Sequence, residues 1–298
     1  MQVVVFGAGS LGSLLGGLLA QIHEVILVGR DPHVSAVREH GLTIEGKKQV
    51  MATPEATTAI PAGLTDVDLA LVAVKSYDTE AAAQALQSCD PEIVLSVQNG
   101  LGNEQTLAES LQAPVLAGTC TYGALLTSPG VVRCTGIGEV TLGPRDGGHS
   151  AVADQAGAAF EAADIETIIT ADMPRRLWEK LAVNAGINAT TALARIENGG
   201  LDTGPAGSVA ETAARETARA ARTNGVDLTD EAAVSAVRSV ARATADNESS
   251  MYQDIQQSRR TEVDAINGAV VERAEEPVPV NETLASLVRA WENAHNLR

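Results

Sequence analysis

The 298-residue chain is long enough for two ordinary domains, and with 45% hydrophobic residues but only 2% aromatics its core must be built from Ala, Val, Leu and Ile. A formal net charge of -17 without any basic patch argues against nucleic acid or an anionic membrane surface as a partner. No apolar run reaches membrane-spanning length, and the first, VVVFGAGSLGSLLGGLLA, is broken by glycines and lacks a basic start or cleavage site, so neither an anchor nor a signal peptide is expected.

Gln2–Phe6 is a β-branched run that predicts a buried strand. Gly7-Ala8-Gly9-Ser10-Leu11-Gly12 follows at once and leads into the helical LGSLLGGLLAQI. This is a GxGxxG pattern between a strand and a helix, the context a dinucleotide-binding turn requires. Gly7 allows the tight bend, Gly9 lets backbone approach a pyrophosphate, and Gly12 lets the helix pack on the strand. The helix N-terminus then offers N–H groups and a positive dipole to the phosphates. A second strand over Glu24–Val28 ends in Gly29-Arg30-Asp31. An acid at this strand end suits the ribose 2′-hydroxyl of NADH, whereas an arginine suits the 2′-phosphate of NADPH. Arg30 therefore favours NADPH, Gly29 is expected to leave room for the phosphate, and Asp31 weakens the case.

Residues 42–60 read as short strands and turns. DLALVAV, residues 68–74, reads as a buried strand with Lys75 at its carboxyl end, and Ser76-Tyr77-Asp78-Thr79 opens a helix. Open α/β sheets bind ligands outside the carboxyl ends of their strands, which places Lys75 at the expected crevice. Asn99 takes the matching position one strand on, after Glu92–Val97 and within Gln98-Asn99-Gly100-Leu101-Gly102. Val115–Leu126 reads as one further strand, with Thr119, Thr121 and Tyr122 near the same rim. Gly130–Gly143 alternates apolar and polar residues and predicts antiparallel hairpins. A helix over Ala151–Ala163 and a strand over Ile165–Ile169 complete the domain, with a boundary near Ala171.

Beyond that point the pattern is helical: 173–195, 205–224, 230–245, 248–275 and 281–296, separated by Gly, Pro, Asn or Asp signals. Asn281 is the expected N-cap of the last helix. In the first of these helices Lys180, Asn184 and Asn188 recur every four residues, so they stack on one face among Leu177, Trp178, Leu181, Val183 and Ile187. A polar stripe on so apolar a helix faces a partner or a cavity, and a lysine flanked by amides suits a small oxygen-rich molecule. The bland alternative is a lysine snorkelling to water. In the fourth helix Ile255, Arg259, Glu262, Ile266 and Ala269 share a face, so Glu262 falls on an apolar stripe and needs a partner. Lys180 is one candidate, and a structural pair with Arg259 is the other.

Lysine is scarce (Lys47, Lys48, Lys75 and Lys180), which fits either a high-salt cytoplasm or a genome favouring Arg. Cys89, Cys120 and Cys134 fit neither a disulfide framework nor a zinc site, and the histidines form no metal-ligand cluster. A reduced, cytoplasmic, metal-free protein is expected.

With these residues assembled, the chain resembles the ketopantoate reductase (2-dehydropantoate 2-reductase) family along almost its whole length. KLAVNAGINATTAL and NESSMYQDIQQSRRTEVDAING are similar to that family's two C-terminal signatures and are far more specific than the glycine motif. The resemblance implies a Rossmann domain over 1–171 that binds NADP through Gly7, Ala8, Gly9, Ser10, Leu11, Gly12 and Arg30. An all-α substrate domain, like the C-terminal domain of 6-phosphogluconate dehydrogenase, covers 172–298, with the site in the cleft between the two. It implies reduction of ketopantoate to (R)-pantoate with NADPH, on the way to coenzyme A. By motif, Lys180 matches the catalytic general acid and Glu262 the acid that engages substrate. Asn184, Asn188, Asn198 and Ser250 match substrate contacts, and Lys75 and Asn99 residues at the cofactor–substrate junction. The segments SYDT after Lys75 and GTCTYGALL from Gly118 depart from better-known bacterial members, which bears on fine preference. A reductase of another 2-oxo acid is the nearest rival; a non-catalytic NADP(H)-binding sensor would have no reason to keep Lys180, Asn184, Asn188 and Glu262 together. The sequence leaves the oligomeric state open, a homodimer included.

Overall fold

The β-branched run at the N-terminus forms β1 (Gln2–Phe6), whose middle residues are fully buried. Such a strand needs cover on both faces, and it lies inside an eight-stranded sheet. The other strands of that sheet are β2 (Glu24–Val28), β5 (Glu55–Thr57), β6 (Leu69–Val72), β7 (Ile93–Ser96), β8 (Val115–Cys120), β11 (Val140–Pro144) and β12 (Thr167–Ile169). Their order is β12-β11-β8-β7-β6-β1-β2-β5, parallel throughout except where β11 meets β8. A second, four-stranded sheet runs β4-β3-β10-β9, from β3 (Leu42–Gly46), β4 (Val50–Ala52), β9 (Gly123–Ser128) and β10 (Val131–Gly136). The computed structural model describes residues 1–298 and divides them into two units: 1–98 with 102–173, and 99–101 with 174–298.

Helix α1 (Ser10–Leu19) is buried on two sides, and its paired glycines allow this. A side chain at Gly16 would collide with Leu27 of β2, and one at Gly17 would come within 2.9 Å of Leu42 and Ile44 of β3. The first unit is completed by α2 (His33–His40), α3 (Thr79–Leu86), α4 (Asn103–Ser110) and α5 (Ala151–Ala162).

The single strand expected over Val115–Leu126 is two strands in different sheets. Thr121 makes the last contact with the first sheet, its N–H donating to Glu139 O at 3.0 Å. Tyr122 then turns into the core, and Gly123 lies so close to Gly136 that a Cβ would sit 2.8 Å from Gly136 N. The hairpins expected over Gly130–Gly143 do not form within that range; β10 instead pairs antiparallel with the preceding β9. β10 also runs parallel to β3, while β11 returns to the first sheet.

The second unit holds α6 (Met173–Ala194) from Pro174 onward, α7 (Pro205–Thr223), α8 (Asp230–Ala243), α9 (Ser250–Gln256), α10 (Ala269–Arg273) and α11 (Pro279–Ala294). Its core is dominated by alanine, among them Ala182, Ala185, Ala213, Ala214 and Ala221. Small side chains let helix backbones approach: a Cβ at Gly186 of α6 would lie 2.8 Å from Ala210 O of α7.

Two expectations for this unit fail. The helix over 248–275 is interrupted: α9 stops at Gln256, and Ser258 takes a left-handed φ of 50°. Ser258 N–H donates to Ile255 O and Arg259 N–H to Asp254 O at 2.8 Å, a Schellman closure with serine where glycine is usual. Without a Gly or Pro in QQSRR, nothing in the sequence signals the stop. The chain resumes in a wide π turn over Asp264–Gly268 before α10. The last helix begins at Pro279, two residues earlier than expected, so Asn281 is not its cap. Glu216 of α7 caps it instead, accepting the Val280 N–H at 3.0 Å and the Asn281 N–H at 2.9 Å.

In the first unit a buried histidine ties three elements. Gly130 N–H donates to His33 Nδ1 at 3.0 Å, so the ring is neutral with its proton on Nε2, 3.0 Å from Ser13 Oγ of α1. Burial pushes this imidazole below its ordinary value. The unfolded chain gains a proton near about pH 6.5 that the folded ring resists, so the stabilisation is complete above that pH and is lost as pH falls through the lower folded value. Denaturant unfolding at stepped pH should show stability declining from about pH 7 toward 5, with a shallower decline in His33→Gln. Equal slopes in the two proteins would remove His33 as the source.

Candidate functional site

In the first unit the glycine turn leaves β1 with Gly7 at φ 116°, where a Cβ would strike the backbone of Ala73 and Val74 at 2.6–2.9 Å. The N–H groups of Gly7 and Ala8 both donate to Val28 O at 2.9 Å, holding the turn to the end of β2. Gly12 lies against Gly7 O, leaving no space for a side chain. Gly9 is the opposite case: no atom lies within 4 Å of the position its Cβ would take. The open space is at the N-cap of α1, where no side chain caps the helix and the first-turn N–H groups lack intrahelical acceptors. This fits a pyrophosphate approached by backbone alone. Ser10 has a further duty, since its Oγ accepts the Leu126 N–H of β9 at 3.0 Å. Ala8 is buried and Leu11 half-buried beside it.

Arg30 follows β2 with its side chain 85% exposed, and its Nη2 lies 3.0 Å from Asp78 Oδ2. Asp31 is already engaged. Its Oδ1 accepts the Ser35 hydroxyl at 2.7 Å and the Ser35 N–H at 3.0 Å, in the first turn of α2. Those bonds hold its carboxyl below the usual range. Gly29 also makes room for the glycine turn, since a Cβ there would lie 2.6 Å from Ala8 Cβ.

Lys75 is half-buried beyond the end of β6 and caps the short 3₁₀ turn Ser76–Asp78, its carbonyl accepting the Asp78 N–H at 2.8 Å. Sequence reasoning passed over Gln98, which is 4% exposed at the end of β7. Its Nε2 donates to Val74 O at 3.1 Å and to Thr79 Oγ1 at 2.7 Å, fixing the chain ends that carry Lys75 and Asn99. A glutamine after a four-residue apolar strand was the available signal.

Asn99, Gly100 and Leu101 belong to the helical unit. Asn99 Nδ2 donates to Glu262 Oε2 at 3.2 Å, and Leu101 N–H donates to Ala265 O at 3.2 Å. Glu262 is buried on the segment leading into the π turn, not on a continuous helical stripe. The segment is pinned from both sides. Thr261 N–H and Oγ1 both donate to the buried Glu292 Oε1 of α11, at 2.7 and 2.6 Å, and Ile266 N–H donates to Glu262 O at 3.1 Å. Arg259, the alternative partner for Glu262, pairs with the buried Asp254 at 3.1 Å.

On α6 the stripe is as spaced: Lys180 and Asn184 are half-buried and Asn188 is buried. One turn on, Thr191 Oγ1 approaches Asn188 O at 3.2 Å and donates to Ser249 Oγ at 2.7 Å. This joins the end of the stripe to the start of α9. There Ser249 is the N-cap, accepting the Tyr252 N–H at 3.1 Å, and Ser250 is the exposed first residue of the helix. Asn198 is engaged elsewhere: its Nδ2 donates to Thr244 Oγ1 at 2.9 Å and its N–H to Asn247 O at 3.0 Å, while its buried Oδ1 has no hydrogen-bond partner. The helical unit thus brings Asn99 and Glu262 into direct contact, and the Thr191–Ser249 hydroxyl contact sets the start of α9, where Ser250 follows, beside the end of the α6 stripe.

Comparison with known proteins gives one consistent picture. Residues 3–147 match the family described as Ketopantoate reductase PanE/ApbA, and residues 172–292 match Ketopantoate reductase PanE/ApbA C terminal. The 2-dehydropantoate 2-reductase of Halobacterium salinarum is 48% identical, over 97% of this chain and 98% of that protein. A PanE/ApbA family ketopantoate reductase from Ralstonia eutropha JMP134 aligns with a TM-score of 0.91 at 33% identity, over 99% of this chain and all (100%) of that one. A D-mandelate dehydrogenase solved with NADH and anilino(oxo)acetate aligns with a TM-score of 0.93 at 27% identity, over 100% of both chains.

Gly100 is the residue on which the placement of Asn99 turns. Its φ is +87°, and a Cβ would lie 2.6 Å from Ala265 Cβ and 2.8 Å from Ala265 C. Gly100→Ala should therefore destabilise the protein by roughly 1–3 kcal/mol, measured by urea unfolding. An unchanged midpoint would mean that the 99–101 segment is not fixed against Ala265.

Proposed function

The chain belongs to the ketopantoate reductase family, and we propose that it reduces 2-dehydropantoate to (R)-pantoate with NADPH, in pantothenate and coenzyme A biosynthesis. The observation that carries this reading is the buried Glu262 carboxylate, hydrogen-bonded to Asn99 in an alanine-lined unit. Packing alone would put an apolar residue there. A carboxylate and an amide held in position offer an acceptor and a donor to a small polar substrate.

When bound, the dinucleotide supplies the hydride that adds to the C2 carbonyl carbon of the 2-oxo acid. Negative charge then develops on the carbonyl oxygen. Lys180 stabilises that charge and donates the proton that completes the alcohol. Asn184 and Asn188 orient the hydroxyl and carbonyl from the same helical stripe. Ser250 donates to the substrate carboxylate, and Asn198 offers its unpaired Oδ1 as an acceptor. Glu262, braced by Asn99, accepts a hydrogen bond from the substrate 4-hydroxyl. Lys75 and Asn99 hold the junction of cofactor and substrate. The glycine turn from Gly7 to Gly12 takes the pyrophosphate, and Arg30 takes the 2′-phosphate. The engagement of Asp31 by Ser35 supports NADPH over NADH, because the acid beside Arg30 is committed to its own helix.

A second reading, a reductase of another 2-oxo acid with NADH, is favoured by the likeness to the D-mandelate dehydrogenase solved with NADH. A panel of 2-oxo acids with each cofactor separates the two. Ketopantoate with NADPH should give the highest kcat/KM; a higher value for an aryl 2-oxo acid or for NADH would favour the second reading.

Two substitutions test the assigned roles. Lys180→Ala should lower kcat by about 10²–10⁴-fold while NADPH still binds; a change confined to KM would make Lys180 a binding residue. Glu262→Gln keeps the shape and removes the charge, so KM for ketopantoate should rise, and rise less for 2-oxo acids without a 4-hydroxyl. Loss of thermal stability with KM unchanged would make Glu262 structural.

A further inference from the structure

We propose that Asp78 is a specificity-determining residue for the dinucleotide: its carboxylate holds Arg30 across the end of β1 and lowers affinity for a 2′-phosphorylated adenosine. The inference rests on the reading of Arg30 as the 2′-phosphate contact. The sheet order is β6-β1-β2, so the strands that carry Asp78 and Arg30 flank β1. Arg30 comes just after Val28, the last residue of β2, and Asp78 closes the 3₁₀ turn beyond β6. Their 3.0 Å ion pair therefore spans the strand end from which the glycine turn departs. A dinucleotide that binds this turn with its adenosine toward β2 meets the pair directly.

The two partners are not equally free to move. Asp78 is anchored by its N–H to Lys75 O at 2.8 Å and immediately precedes α3, and its side chain is 32% exposed. Arg30 has a long side chain that is 85% exposed. An ion pair with so exposed a partner is weak, so a phosphate dianion can take the guanidinium from Asp78. Asp78 then stays behind as a fixed negative charge well inside a Debye length of the phosphate, where the two repel. A ribose 2′-hydroxyl carries no charge and meets no such penalty. Asp31 keeps its negative charge under the Ser35 hydrogen bonds and adds to the field beside Arg30, but Asp78 is the acid that pairs with the guanidinium. Arg30 and Asp78 thus act in opposite directions on the same group, and the net preference is their balance.

The test uses isothermal titration of 2′,5′-ADP and of ADP into the full-length protein at low and high KCl. Asp78→Asn should bind 2′,5′-ADP about three- to tenfold more tightly at low salt while ADP changes by less than about twofold. High KCl should shrink the gain. In an Arg30→Ala background, Asp78→Asn should still relieve the repulsion but no longer release a guanidinium, so the gain should be smaller. Unchanged 2′,5′-ADP affinity in Asp78→Asn, or an equal change for both ligands, overturns the proposal. Arg30→Ala alone separates the two layers of inference. Selective loss of 2′,5′-ADP keeps the NADPH reading whatever Asp78→Asn does, whereas equal loss of both ligands removes that reading and this proposal with it.

Discussion

A carboxylate held inside an alanine-lined interior is the constraint around which the helical unit is arranged. Glu262 is buried, and a buried carboxylate is costly unless donors meet it. Asn99 supplies one donor at 3.2 Å, and it does so from a three-residue segment that follows β7 and is built into the helical unit. The segment needs Gly100 because its neighbour Ala265 leaves no space for a side chain. The Glu262 backbone is fixed in turn by Thr261, which places two donors on Glu292. Glu292 is itself buried and is balanced by Arg298, whose Nε donates to it at 2.6 Å. Glu262 and Glu292 are therefore each matched to named donors, and the position of one carboxylate depends on groups distant from it in sequence.

The same logic extends through the interior. Glu216 of α7 receives the first-turn N–H groups of α11 together with Asn281 Nδ2 at 2.8 Å. Asn281 Oδ1 accepts from Asn267 of the π turn, and Asn267 also donates to Ala185 O of α6, both at 3.0 Å. This chain links the helix that carries Lys180 to the turn that follows Glu262. Alanine packing alone leaves helices free to slide, because small side chains interlock poorly; directional bonds at fixed positions define one register. Wide π turns recur at functional sites because the extra residue redirects neighbouring side chains, and here one follows Glu262 directly.

Much of this was legible in the sequence because it follows from periodicity and from residue types with strong local preferences. The strand–GxGxxG–helix unit, the apolar strands before Lys75 and Asn99 (shorter than expected, Leu69–Val72 and Ile93–Ser96), and the one helix that carries Lys180, Asn184 and Asn188 follow the pattern. The features that escaped depend on side chains distant in sequence or on rare local geometry. The break after Gln256 uses a left-handed serine, which has no sequence signature. The cap of α11 comes from Glu216, more than sixty residues earlier, as the 64- and 65-residue separations of its bonds show. The need for a glycine at position 29 beside Ala8 comes from a contact between separate strand ends. Arg30 follows β2 as the spacing places it, but its partner Asp78 lies 48 residues away, on a turn no pattern joins to it. Glu262 is buried although the helix expected around it is broken, because the segment leading into the π turn is packed between Asn99 and α11.

The central claim is that Asn99 and Glu262 act as one unit toward the substrate. A double-mutant cycle on KM for ketopantoate, using Asn99→Ala, Glu262→Gln and the pair, tests it most directly. The account predicts that each single change weakens binding and that the double mutant is little worse than Glu262→Gln alone, a coupling of roughly 0.5–3 kcal/mol. Strictly additive effects, with coupling below about 0.3 kcal/mol, would contradict it.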